Sequence, residues 1–292
     1  MKTIRLSTPV DCPQGAFRIS PTDGIMLVGS CFSENIGARM QTCGLNVMLN
    51  PFGILYNPLS MAEAVARCME AEEVGEELLV QQDGLWHSWL HHGRFSRIGK
   101  ADCLGACNEA IREAHRFMQH CNVLIVTFGS AWCYRLKTTG RVVANCHKVP
   151  STQFEKCLLT VDEVVAAWRP LVEAMEQRGV RMVFTISPVR HGAYGAHGNQ
   201  LGKAVLLLAI EELLSSSAMV DYFPAYEVVM DELRDYRFYA DDMLHPSPLA
   251  EQIVWQRFQE TYMDAGTIDS CDAAEMAARR ASHRPLHTSA SR

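Results

Sequence analysis

Four short apolar runs, separated by stretches with helical punctuation, constrain this chain more than any other feature. They are Ile25-Met26-Leu27-Val28-Gly29, NVLIVTF at 122–128, RMVFTIS at 181–187 and MVDYF at 219–223. Each is short enough for a strand and too uniformly apolar to have one wet face, which is the pattern of a strand covered on both sides. Helix signals lie between them. Ser33 reads as a cap before a helix at about 34–43 that Gly44 stops, and Ser60-x-x-Glu63 opens another to about residue 71. A third helix is expected at about 104–120, and Thr160-x-x-Glu163 opens a fourth that Gly179 ends. A strongly apolar helix starts at Asn199 or Gln200 and runs to about Ser215. One more covers about 226–235, and Ser247-Pro248 caps a last one to about Asp264. Strands alternating with helices imply a three-layer α/β/α sandwich around a mostly parallel sheet.

The remaining segments carry weaker signals. Residues 45–59 hold Pro, Gly and Asn and read as a structured loop, and 78–98 alternate apolar and polar residues around Asp83-Gly84, as a hairpin insertion would. Residues 135–157 are basic and polar with little periodicity and are expected to form a long loop. The Ala-, Arg- and Ser-rich end, 271–292, reads as a helical or disordered tail. The expected organisation is therefore one domain over 1–270, with the hairpin near 78–98, and then the tail.

Composition excludes several partner classes. A net charge of −6 over 292 residues gives no nucleic-acid footprint and no polybasic membrane patch. No stretch approaches the roughly 18 apolar residues of a membrane span, and the first residues lack the apolar core of a signal segment. Eleven cysteines occur with no Cys-x-x-Cys pair, so a structural zinc site has no support and neither a metal nor a cofactor is expected. Free thiols in a reducing cytoplasm are the expectation, most of them acting as small buried hydrophobes.

In open parallel sheets, ligands gather at the carboxyl ends of the strands. Ser30 and Cys31 follow the first run at a tight strand-to-helix turn. The helix N-terminus there offers free N–H groups to an oxyanion, and its partial charge favours a thiolate. Asp242 and His245 lie three apart just before a capped helix, a spacing that brings a carboxylate back to an imidazole Nδ1–H. Arg190, after the third run, and Lys148 each suit either a substrate carboxylate or phosphate or a surface ion pair, with the ion pair the leading reading for Lys148. His147 beside Cys146 lacks further metal ligands at the right spacing, and His87, His91 and His92 suit a substrate rim or adventitious metal binding, with a solvated face the leading reading. Trp86 and Trp89 are core candidates that would also suit the floor of a sugar-binding cleft.

Val28-Gly29-Ser30-Cys31-Phe32-Ser33-Glu34-Asn35-Ile36-Gly37 resembles the opening signature of the GSCFA-domain proteins, within the SGNH/GDSL hydrolase superfamily. The likeness continues through Asn50-Pro51-Phe52-Gly53, Tyr56-Asn57-Pro58, residues 143–148, Ser187-Pro188-Val189-Arg190 and Tyr222-Phe223-Pro224, and ends at Asp242-x-x-His245-Pro246-Ser247, so it covers about residues 20 to 265. The resemblance implies a flavodoxin-like sheet, a nucleophile in the first block and an Asp-x-x-His in the last. In the superfamily's register the nucleophile stands two residues after Gly. That is Cys31 here, and Ser30 needs a shift of one. The usual oxyanion Asn is replaced by Ala131. Asn145 or Asn57 then becomes the source of the amide, and Gly53 the N–H donor. The implied activity is hydrolysis of a small or carbohydrate-linked ester by a Cys/Ser-His-Asp triad. The alternatives are an acyltransferase with an acyl-enzyme intermediate and a non-catalytic binding module on a hydrolase scaffold.

Overall fold

Side chains that alternate between two buried faces decide the architecture. The computed structural model describes residues 7–282. In chain order the elements are β1 (Gly24–Gly29), α1 (Cys31–Thr42), β2 (Asn46–Leu49), α2 (Pro58–Glu70), the hairpin β3 (Leu79–Gln82) and β4 (Leu85–Ser88), and α3 (Lys100–Met118). Then come β5 (Cys121–Phe128), β6 (Trp132–Leu136), β7 (Val142–Val143), β8 (Phe154–Leu158), α4 (Val161–Gln177), β9 (Arg181–Ile186) and α5 (Gly195–Leu214). The chain closes with β10 (Val220–Phe223), the single turn α6 (Ala225–Glu227), α7 (Pro248–Tyr262) and α8 (Ala265–Ser282).

The central sheet has five parallel strands in the order β10-β9-β5-β1-β2. Counted along the sheet's own strands this is the flavodoxin-like order, and it reverses between β1 and β5. Met26, Val28, Leu124, Val126, Met182 and Phe184 point into a core shared with α2, α3, α4 and α5. Their neighbours Ile25, Leu27, Val123, Ile125 and Val183 point to the other face, packed on α1, α7 and α8. On the first face Trp168 of α4 is fully buried between Phe128 and Phe184, with ring centroids 5.4 and 5.2 Å away. Its indole N–H donates to the Pro58 carbonyl at 3.0 Å. Truncating such a side chain to Ala costs about 3–5 kcal/mol.

Several expectations are corrected. The cap of α1 is Ser30, whose hydroxyl accepts the Phe32 N–H, while Ser33 is buried inside the helix. Asn57 caps α2 by accepting the Ser60 N–H at 2.8 Å; Glu63 is not part of a capping box and pairs instead with Arg67 and Arg141. Thr160 and Glu163 do form one at the start of α4. The helix expected over 226–235 is α6 followed by a π-helical turn, Val228–Glu232, and α5 starts earlier than expected, at Gly195. Residues 135–157 are not a loop: β6 pairs antiparallel with both β7 and β8 in a small sheet beside the main one. The start of the expected tail, 271–282, is helical, one of the two forms expected, but it is part of α8, which lies against α1 and buries Cys271; the rest of it, 283–292, lies outside the described residues.

The β3–β4 hairpin turns at Asp83-Gly84, both with positive φ (50° and 77°), which is the pattern of a two-residue hairpin turn. His87 and His91 are buried, contrary to the expected solvated face. The His91 ring stacks on Phe52 at 4.2 Å and shares a hydrogen bond with the Ser88 hydroxyl at 2.9 Å. His147 stacks on His87 at 4.5 Å, and its Nε2–H donates to the Ser88 carbonyl at 2.8 Å. Burial pushes His91 down to about 3 and His147 down to about 4. Both are therefore neutral in the fold, while the unfolded chain takes up protons from about pH 6.5. Stability contributed by these groups is present at neutral pH and is lost as pH falls from that point towards 4. Urea midpoints measured from pH 7 to 4.5 should fall, and the combined His91→Gln, His147→Gln variant should show a shallower decline; an unchanged slope would refute this account.

Candidate functional site

The site begins where β1 meets β5. A Cβ on Gly29 would lie 2.6 Å from the Thr127 carbonyl oxygen and 2.6 Å from Ser33 Oγ, so only glycine lets the turn press against β5. The Gly29 N–H donates to Asn50 Oδ1 at 2.9 Å, and its carbonyl accepts the Leu55 N–H at 3.0 Å. Ser30 is fully buried as the helix cap. Cys31, the first residue of α1, is only partly buried. Burial pushes its thiol up, and the fields of Glu34 and Glu251 add to this against two backbone N–H groups that oppose it. The group at rest is a neutral thiol that needs a base.

The Asp242–His245 loop folds on itself. Asp242 Oδ1 accepts the N–H groups of Leu244 (2.9 Å) and His245 (3.0 Å), and Oδ2 lies 2.6 Å from His245 Nδ1. Those two backbone N–H groups, with the imidazole, hold the carboxyl down at about 2. A carboxylate fixed in this way keeps the proton on Nδ1 and leaves the Nε2 lone pair as the basic end of the ring. Both side chains are about half exposed.

Ser30, Cys31, Asn57, Asn145, Arg190 and His245 line one cleft of about 610 Å³, with Asp242 behind His245. Not all of them have free donors. Both polar ends of the Asn57 amide are engaged: Oδ1 accepts from the Ser60 N–H, and Nδ2 donates to Ser60 Oγ and to the Val143 carbonyl. The N–H groups of Gly129 and Ser130 both go to the Tyr56 carbonyl. Asn145 accepts the His147 N–H through Oδ1, which leaves its NH₂ as the available amide donor. Gly53 is not on this cleft. Its φ is +78°, its N–H donates to the Asn50 carbonyl at 2.7 Å, and a Cβ there would meet His92 Cβ at 2.3 Å, so the glycine serves a tight turn. Trp86 and Trp89 also lie off the cleft, and Lys148 forms no ion pair among the described residues.

Three side chains at the site come from elsewhere. Trp132 of β6 and Tyr194 stack at 4.9 Å as one wall, and the indole N–H is pinned to the Gly198 carbonyl at 2.8 Å. Lys203 of α5 is buried, and its Nζ donates to the Gly129 carbonyl at 2.8 Å and the Ser187 carbonyl at 2.6 Å. It ties the ends of β5 and β9 together beneath the cleft. Burial and the neighbouring Arg190 charge push its amine down to about 7, partly offset by Cys31. A lysine within the apolar stretch of α5 is the signal that would have singled it out. Among the described residues no group of three or more His, Cys, Asp or Glu is placed to hold a metal ion, and no helix is long and apolar enough to cross a membrane.

No functionally curated protein matches this chain. Solved structures give distant likenesses: a "putative acylhydrolase" from Bacteroides fragilis NCTC 9343, 8% identical with a TM-score of 0.43, covers 89% of this chain and 92% of its own. A carbohydrate esterase family 3 protein from Talaromyces cellulolyticus is 10% identical with a TM-score of 0.37, over 85% of this chain and 98% of that one. An acetyl esterase mutant with acetate ion gives 8%, 0.37, 85% and 98%. The model of the GSCFA family matches residues 24–258. That span takes in both the Ser30-Cys31 turn and the Asp242–His245 loop, and the chain belongs to the GSCFA family.

Proposed function

We propose that this cleft hydrolyses an ester of a small molecule or carbohydrate, with Cys31 as nucleophile, His245 as general base and Asp242 as its orienting acid. The observation that carries the reading is the His245 imidazole, held at 2.6 Å by Asp242 on the same cleft as the N-terminal turn of α1. Cys31 is favoured over Ser30 because the Ser30 hydroxyl is buried and occupied as the helix cap. In the first step Cys31 Sγ attacks the ester carbonyl carbon and its proton passes to His245 Nε2. The Cys31 N–H at the start of α1 and the Asn145 amide are the donors available to the oxyanion. The C–O bond then breaks, the alcohol leaves with the proton from His245, and a thioester remains. Water attacks the thioester while giving its proton to His245. The acid is released, and the proton returns to Cys31. A thioester in so roomy a cleft also suits transfer to an alcohol acceptor, and acceleration of turnover by added alcohol would mark that second reading. The free thiols fit a reducing compartment such as the cytoplasm.

Intact-mass labelling tests the nucleophile. Iodoacetamide should modify one site fast, with the label lost in Cys31→Ala and slowed in His245→Ala. A fluorophosphonate label lost only in Ser30→Ala would move the nucleophile to Ser30. If neither reagent singles out these residues, a non-catalytic binding module is the better reading.

His245→Ala should lower the rate of ester hydrolysis by about 10²–10⁴-fold, as loss of a general base does. Asp242→Asn should lower kcat by at least about tenfold with KM little changed, because it alters the tautomer and not the cleft. An Asp242→Asn enzyme with full kcat would remove Asp242 from the mechanism.

A further inference from the structure

We propose that the cleft selects esters carrying an oxyanionic group, a carboxylate or a phosphate, and that the Arg190 guanidinium binds it. This deepens the hydrolase reading and rests on it for the ester, though not for the anion.

The first observation is an unbalanced charge. Among the described residues Arg190 is the one side chain on the cleft with a permanent charge: burial pushes the His191 imidazole down, and no Asp or Glu lines the cleft. Arg190 is half-buried, and among the described residues its one side-chain hydrogen bond is a weak one, Nη2 to Met230 Sδ at 3.2 Å. Among the described residues it has no carboxylate partner. A guanidinium has five N–H donors in a planar fork that fits a carboxylate or phosphate two at a time. A partly desolvated fork that no carboxylate of the described residues occupies has donors free for one.

Neighbouring basic groups add to the imbalance. Lys203 is buried beneath, bonded to the carbonyls of two residues that line the cleft, and near enough to Arg190 to feel its field. At the rim, Lys156 Nζ sits over the Tyr194 ring at 3.8 Å and the Trp132 ring at 4.7 Å, with no carboxylate partner among the described residues. The carboxylates of the area are already engaged. Asp242 holds His245, Glu34 pairs with Arg94 at 3.8 Å, Glu251 takes the Asn35 amide, and Glu227 accepts the Tyr222 hydroxyl. Basic groups thus gather over the ends of β5 and β9, with Arg190 as the permanent charge among them, next to an aromatic wall suited to the uncharged body of the same molecule.

The test has a binding arm and a turnover arm. In the first, succinate, inorganic phosphate and neutral succinamide are titrated calorimetrically into the wild-type protein, Arg190→Gln and Arg190→Lys. Succinate or phosphate should bind at least about tenfold tighter than succinamide, the worth of one or two hydrogen bonds to a charged group. That margin should vanish in Arg190→Gln and return only in part in Arg190→Lys, which restores charge without the fork. Whichever anion binds tighter assigns the group as carboxylate or phosphate. Equal binding of succinate, phosphate and succinamide by the wild type overturns the proposal. So does a margin that Arg190→Gln leaves intact. In the second arm, kcat/KM is compared for a p-nitrophenyl hemisuccinate and p-nitrophenyl butyrate. A preference for the hemisuccinate that Arg190→Gln abolishes supports the proposal. Turnover of butyrate with no anion binding leaves the hydrolase reading standing and removes this one. Anion binding with turnover of neither ester does the reverse.

Discussion

The contact between Gly29 and β5 is the constraint on which the site depends. β1 is paired on one side with β2 and on the other with β5, and it ends where the absence of one side chain allows backbone to touch backbone. The next two residues are therefore delivered to the crevice where the strand order reverses. The α1 helix begins there because Ser30 is free to cap it, so strand end, cap and candidate nucleophile are three consecutive residues. Asn50 holds the same turn from the end of β2 through its side chain.

Around this fixed point the rest of the cleft is assembled from distant parts of the chain. The small β7-β6-β8 sheet supplies the aromatic wall, the segment after β9 supplies Arg190, and α5 sends Lys203 under the floor. Each side of the cleft therefore has its own electrostatic character. Around Cys31 burial, with a smaller push from nearby carboxylates, raises the thiol, whereas over the ends of β5 and β9 Arg190 stands without a carboxylate partner among the described residues.

The central layers were legible in the sequence because buried parallel strands announce themselves as unbroken apolar runs. The Thr160–Glu163 cap was legible because it is local. So was the contact between Asp242 and His245, which a three-residue spacing suffices to form. The small sheet was not legible. In β6 the residues Trp132, Tyr134 and Leu136 alternate with Cys133 and Arg135, and the partner residues lie some twenty positions away, as in the Cys133–Cys157 pairing. A run of that composition looks like a polar loop until its partner is known. Asn57 is hidden as a cap in the sequence because Ser60 and Glu63 offer a competing pattern three residues on. The Gly53 expectation failed for a different reason: a glycine marks an unusual backbone, and sequence alone does not say whether its N–H faces a ligand or closes a turn.

The two halves of the candidate dyad also differ in how firmly they are held. Cys31 is anchored to a strand end that cannot move without opening the main core. His245 lies on an exposed loop tied down by a few backbone bonds, from Ala240 to His245, Ser247 to Phe238 and Arg190 to Leu244, together with its own carboxylate. Segments of this kind open at a fraction of the global unfolding free energy. A folded state with this loop open removes His245 from the cleft, and under the proposed mechanism its population sets a ceiling on turnover that global stability does not report. Amide exchange at residues 240–247, compared with exchange in β1 and β5, measures how large that population is.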